Sequence, residues 1–574
     1  MSRILELRRG LRSRGDKSRS SVKARAVFTI AAAALALAAP AQAKAGPLRV
    51  DTVEGPVKGF VKDGVAEFLG VPYAAPPVGN LRWTPPKKHA PWTRVLQATS
   101  FGPQCAQVTT LGLFAGPANN NEDCLYLNVF SPNLNPTGKG KLPVIVWIHG
   151  GGNIDGASDG YDGAKLASQG DAVVVTINYR LGVLGFMAHP ALDAEGHPFA
   201  NYGILDQQAA LQWVKRNIAS FGGDKNNVTL GGQSAGSLDT QVNMVSPAAA
   251  GLFHRAIWES GVQEPAPLPF AEQSGTSFAV AAGCGSGSDA ATAKCLRSLT
   301  VAQIMKVQGT ESASFYPTGN GIVADGQIIP SNGIKAQFAS GQFNHVPVMS
   351  GSTHDEGNFG LAITEYYKKP RVAFTADDFK SFVTATYTGN SGPAGSPPPY
   401  PAGTVDKVLA RYPLDAYPTP QLAMDAVATQ GAAFFACPTR QILKSIANQV
   451  PVYAYEFNDQ TAPFYFPKMP GFQPLAYHTA DIQYLFPLWH GGADGIPHEL
   501  NNKQQALSDK LVKAWTNFAW TGNPNGQGNS PWPRYVLQPN KSFYLSENIP
   551  TLSTISDAQY AAENKCDLWD TVLK

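Results

Sequence analysis

A chain of 574 residues, 43% hydrophobic and 10% aromatic, has apolar material for a large buried core and too much of it for a disordered protein. Its formal charge of +3 comes with no basic stripe interleaved with aromatics beyond the N-terminal region, which argues against a nucleic-acid binder. No Gly/Ser linker, charge block or repeat period divides it, so residues 44–574 are expected to form one large domain with long insertions.

Residues 1–43 stand apart. They hold nine Lys or Arg against Glu6 and Asp16, then an apolar run of about 13 residues from Val27 to Ala39, then Ala41-Gln-Ala43. A basic start, a short apolar stretch and small residues at a cut site describe an export signal cleaved after Ala43. The run falls short of the roughly 20 residues that span a bilayer. Arg8-Arg9 hints at twin-arginine export. The segment carries +7 against a total of +3 for the whole chain, so the remainder is near −4, and the basicity belongs to targeting. The expected location is periplasmic or extracellular, with no stable membrane association.

Six cysteines follow, and an even number in an exported chain favours disulfides. Short separations favour Cys105–Cys124 and Cys284–Cys295, leaving Cys437–Cys566 to pin the C-terminus. No CxxC or Cys/His cluster argues for zinc.

Apolar, β-branched runs predict strands at 143–148, 172–177, 228–230 and 346–349. They lack strict alternation, as expected of strands buried on both faces of a parallel sheet. Between the second and third, Leu211, Val214 and Ile218 fall on one face of a helix predicted over 205–218. Strand, helix, strand alternation gives an α/β fold. Residues 388–403, rich in Gly, Pro and Ser, should form an exposed loop.

Two motifs carry chemistry. The first strand opens into His149-Gly-Gly-Gly-Asn153. Consecutive glycines leave bare N–H groups that a substrate oxygen can approach, and the amides of Gly151, Gly152 and Ala235 are the expected oxyanion donors. A phosphate loop would want Lys and Ser/Thr after its glycines, which Asn153-Ile-Asp does not supply. The third strand runs into Gly231-Gly-Gln-Ser-Ala-Gly236, a Gly-x-Ser-x-Gly turn that exposes one hydroxyl, making Ser234 the candidate nucleophile.

At this point the chain resembles the type B carboxylesterases, the family that includes cholinesterases and some fungal lipases. The stretch from Phe221 through Gly236 is similar to the family's serine signature, and Glu122-Asp-Cys-Leu-Tyr-Leu-Asn-Val-Phe-Ser-Pro132 to its second signature. The stretches Phe68 to Trp83 and Trp515 to Asn525 resemble its terminal patterns, so the likeness runs from about residue 47 to the end. It implies an α/β-hydrolase fold, a large mostly parallel sheet flanked by helices, and ester hydrolysis through an acyl-enzyme with no metal or cofactor.

The resemblance also implies roles. Gly351-Ser-Thr-His-Asp-Glu-Gly357 is similar to the acid segment, making Glu356 the triad acid; the residues alone do not choose between it and Asp355. Ala476-Tyr-His478 is similar to the histidine segment, making His478 the base, with His490 the other candidate. Ser260 resembles a supporting serine behind the triad, with helix capping as the plain alternative. The family's cysteine pairing agrees with the one favoured by spacing. Arg82 with Glu122, and Arg180 with Asp224, resemble its buried ion pairs.

The chain departs from the cholinesterases in its first cysteine loop, which has no Trp, and in Gln233, which stands where they have an acid. Choline esters are therefore unexpected substrates. A lipase would need an apolar lid, for which Val108 to Ala115 is a short candidate, and Asn153 replaces an aromatic usual after the glycines. The main alternatives are a long-chain lipase and a non-catalytic binding module on the same fold.

Overall fold

In the computed structural model, the described residues are 48–572 apart from 115–116, 138–139, 263, 312–320, 389–399, 432–434, 527, 539–542 and 548–551. The expected export signal, and most of the loop expected at 388–403, lie outside them.

Aliphatic and β-branched runs supply one sheet of eleven strands. In chain order they are β1 (Phe60–Lys62), β2 (Val65–Pro72), β3 (Tyr126–Ser131), β4 (Leu142–Ile148), β5 (Val173–Ile177), β6 (Gly223–Gln233), β7 (Arg255–Glu259), β8 (Val348–Thr353), β9 (Val452–Phe457), β10 (Phe543–Ser546) and β11 (Ser553–Ser556). Their spatial order is β11-β10-β9-β8-β7-β6-β4-β5-β3-β2-β1. All pairings from β5 across to β10 are parallel. The flanks, β11 on one side and β3, β2 and β1 on the other, pair antiparallel.

Burial on both faces explains the unbroken apolar runs. Val144, Val146 and Ile148 of β4 join one core cluster, with Leu211 and Val214 of α1 (Tyr202–Asn217) and Leu238 and Val242 of α2 (Ala235–Val245). Trp147, the neighbour of opposite parity, joins the cluster on the other face, where α6 (Asn502–Thr521) packs Leu511, Trp515 and Phe518. The period-2 geometry of a strand makes this split. Three further helices border the site: α3 (Gly357–Tyr367), α4 (Ala376–Thr388) and α5 (Pro420–Gly431).

The predicted strands and helix fall on β4, β5, β6, β8 and α1, with differences at their ends, such as α1 starting at Tyr202 and β6 running on to Gln233. β6 begins at Gly223, because its polar start still pairs with Leu142 through a register shift. β8 begins at Val348, two residues later than expected, after Pro347, which lacks the N–H a strand interior uses.

Disulfides join Cys105 to Cys124, Cys284 to Cys295 and Cys437 to Cys566. Arg82 pairs with Glu122 at 2.6 Å. Arg180, however, pairs with Asp206 at 2.8 Å and not with Asp224, which corrects the expectation from the family resemblance. Arg180 follows the C-terminal end of β5, whereas Asp224 lies at the N-terminal end of parallel β6, a strand length away. Asp206, in the first turns of α1, lies beside the arginine, while the Asp224 carboxylate accepts from the N–H of Asn226.

Candidate active site

Chain order places β5 on one side of β4 and β6 on the other, so the carboxyl ends of β4 and β6 meet where the winding reverses. Such a switch point leaves a crevice beyond the strand ends. Both chemical motifs emerge there, with Ile148 registered against Gly232.

Ser234 joins β6 to α2 with φ 58° and ψ −122°, a conformation L-residues rarely occupy, held by its N–H donating to Glu259 O at 2.8 Å. The glycines of the turn are a matter of space. A Cβ on Gly232 would lie 2.5 Å from Ile148 O, and one on Gly236 only 2.1 Å from the same atom. Across from the serine, a Cβ on Gly151 would lie 1.9 Å from Asp155 O. Among the described residues no protein acceptor takes the N–H of Gly151, Gly152 or Ala235. Ala235 is the first residue of α2, where the amide has no intrahelical partner and the helix end is positive.

Asn153 lines the cavity, but its amide is engaged behind it. Nδ2 donates to Asp239 Oδ1 at 3.1 Å, and the Tyr179 hydroxyl donates to Oδ1 at 3.0 Å. Burial pushes the Asp239 carboxyl up to about 7, against hydrogen bonds from Asn153 and Gln207 that lower it. The residue thus ties the glycine loop to α2. His149, also buried, stacks on Tyr179 at 4.5 Å; burial lowers its imidazole to about 4 against a raising bond with Gly150. It is part of this support and does not line the cavity.

The adjacent carboxylates at the end of β8 separate cleanly. Glu356 Oε2 lies 2.5 Å from His478 Nδ1, and its Oε1 accepts from Thr353 N at 2.8 Å. Asp355 turns away, accepting from Ala476 N at 3.1 Å and facing His354 at 3.0 Å. His478 lies between the rings of Phe359 (5.5 Å) and Phe435 (5.2 Å). Ser234, Glu356 and His478 all line one cavity of about 840 Å³. His490 is half-buried with its Nδ1 at Leu488 O, outside that lining. Ser260 sits at the end of β7 with φ 55° and no helix to cap, since the next begins at Leu268. Its buried Oγ has no partner among the described residues.

The rest of the cavity is apolar. Leu238, Val262, Phe359, Leu361 and Phe374 line it, together with Lys368, just past the end of α3, and Asp378, in the first turn of α4. Leu111 of the candidate lid lines it too, but that segment is tied down: Asp155 Oδ2 accepts from Thr110 Oγ1 at 2.6 Å, Thr110 N at 3.0 Å and Leu111 N at 3.2 Å. Ala115 lies outside the described residues. Phe435 and the contact between Gln233 and His478 were not foreseen, and no local motif marks them; Phe359, three residues after Glu356 in the first turn of α3, was the one that chain position could have suggested.

A doubly wound sheet with a serine at the β6–α2 turn, bare amides opposite and a buried Glu–His pair defines an α/β-hydrolase. Residues 46–569 match the model of the carboxylesterase family, to which the chain belongs, and carboxylic ester hydrolysis is its activity. It is 35% identical to the medium-chain fatty acyl-CoA hydrolase precursor of Anas platyrhynchos, over 92% of each chain. It is 34% identical to carboxylesterase 1E of Mus musculus, over 92% of this chain and 94% of the relative. A solved thermophilic PNB esterase superposes with TM-score 0.71 at 29% identity, over 90% of this chain and all of its own.

Proposed function

We propose that Ser234, Glu356 and His478 are the catalytic triad of an exported esterase acting on esters with a large apolar arm. The observation that carries the reading is the 2.5 Å contact from Glu356 to His478 Nδ1, with both on one cavity wall with Ser234. Ser234 Oγ attacks the ester carbonyl as His478 Nε2 takes its proton. The amides of Gly151, Gly152 and Ala235 receive the charge that develops on the carbonyl oxygen, each worth about 2.7–4 kcal/mol of barrier. Glu356 fixes the imidazole tautomer and stabilises its cation. Collapse breaks the ester C–O bond and His478 protonates the departing alcohol; water then releases the acid by the same steps. Ser260, at the end of β7, lines the same cavity and is assigned the supporting role behind the triad.

A fluorophosphonate probe tests this directly. One adduct is expected, on Ser234, suppressed by excess ester; labelling elsewhere, or none, rejects the triad.

The apolar cavity supports a preference for acyl groups larger than acetyl, and the duck relative's name points to medium-chain acyl groups. Across p-nitrophenyl esters, kcat/KM should rise at least about tenfold from acetyl to octanoyl, since a fully buried methylene is worth up to about 0.8 kcal/mol. A flat series would reject it. The tether of Thr110 and Leu111 to Asp155 counts against an interfacial lipase, which would need that segment to swing away.

Three disulfides are compatible with an oxidising compartment, and among the described residues no helix is long and apolar enough to cross a membrane. Residues 1–43 are read as the export signal; exported protein that does not begin at Lys44 would reject that cut.

A further inference from the structure

Gln233 is the last residue of β6 and is fully buried, its backbone registered against Glu259 of β7. Its carboxamide crosses to a residue 245 positions away: Nε2 lies 3.2 Å from His478 Nε2 and 3.5 Å from His478 Nδ1. Both contacts are within hydrogen-bond distance, so the carboxamide lies directly against the imidazole. The carboxamide fits because Gly150 has no side chain: a Cβ there would lie 3.1 Å from Gln233 Oε1. Gln233 Oε1 itself has no partner among the described residues, so no hydrogen-bond network of its own accounts for its place.

We propose that Gln233 is a positioning residue for His478, holding the plane of the imidazole from one side without placing a charge against it. The inference rests on the triad reading above. Phe359 and Phe435 flank the ring as well, so its tilt is set by three contacts. The ionisable groups bearing on it are Glu356, through Nδ1, and the buried Asp481, whose carboxyl burial and the nearby Glu356 push up to about 7. The chemistry requires the imidazole to gain a proton during attack and lose it to the alcohol within one turnover. A carboxylate against the ring would favour the cation at both stages and shift upward the pH at which the free base is available. An amide of the same shape orients the ring and leaves that balance to Glu356 and Asp481.

The test is the pH dependence of kcat/KM for the wild type, Gln233→Glu, Gln233→Ala and Gln233→Met. In Gln233→Glu the acidic limb should move to higher pH by about one unit, the size of effect a nearby opposite charge produces. Gln233→Ala frees the ring, and kcat should fall roughly 10- to 100-fold with KM little changed. Gln233→Met restores the contact without charge and should recover most of that loss with the wild-type limb. Thermal melting separates any variant that fails to fold, and the remaining ones still decide. An unmoved limb in folded Gln233→Glu, or full kcat in folded Gln233→Ala, overturns the proposal. Fluorophosphonate labelling of the wild type keeps the two readings apart: absence of an adduct on Ser234 defeats the triad itself, whereas labelling with an unmoved limb defeats only the role of Gln233.

Discussion

Replacing Ser234 by Ala is expected to lower kcat for a p-nitrophenyl ester by about 10⁴- to 10⁶-fold, with the protein still folded. Removing a hydroxyl at the β6–α2 turn leaves its geometry in place, because the turn is held by the Ser234 N–H bond to Glu259 O and by Gly232 and Gly236 against Ile148 O. His478→Ala should cost nearly as much, and the double variant little more, since the proposed nucleophile and base would act as one unit. Glu356→Gln should cost about 10⁴-fold, because an amide at that position stabilises the wrong tautomer. Asp355→Asn offers the control. Its carboxylate faces Ala476 N and His354, so its loss should spare kcat far more than that of Glu356. Steady-state kinetics and melting on the same preparations decide. Comparable loss from Asp355→Asn and Glu356→Gln would show that the acid has been assigned to the wrong carboxylate.

Legibility in the sequence followed the range of each interaction. β4 and β5 were readable because burial on both faces leaves little besides aliphatic residues. The first half of β6 was not, since Asp224, Lys225, Asn226 and Asn227 lie in the register shift between the Leu142–Gly223 and Val144–Val228 pairs, which side-chain type does not report. Ser234 and the glycine loop were readable because each needs bare backbone within a few residues. The choice of Glu356 over Asp355 came from resemblance alone; the two carboxylates diverge only once β8 is docked and Ala476 is beside it. Contacts between distant parts of the chain had no local sign. The contact of Gln233 with His478 and the cavity wall from α3, α4 and α5 depend on where long insertions land.

Arg180 offers the sharpest check on that non-local packing. The guanidinium donates from Nε to Asp206 Oδ2 and from Nη2 to Oδ1, both at 2.8 Å, and its backbone N–H adds a third bond at 3.1 Å. Asp206 has no exposed surface. Arg180→Ala strands that carboxylate without its counter-charge, and an orphaned buried ion typically costs about 3–5 kcal/mol, against about 5–15 kcal/mol for the whole stability of a folded domain. A large drop in the urea midpoint is therefore expected. Asp224→Ala, aimed at the partner the family likeness suggested, should change stability by no more than about 0.5 kcal/mol, since its carboxylate caps a local turn and is partly exposed. Removing both charges together, as Arg180→Met with Asp206→Leu, should recover much of the loss, because a buried pair owes its effect less to attraction than to the penalty of breaking it. If Asp224→Ala destabilised as strongly as Arg180→Ala, the pairing through α1 would be wrong, and with it the account of how the β5 end is anchored beneath the glycine loop.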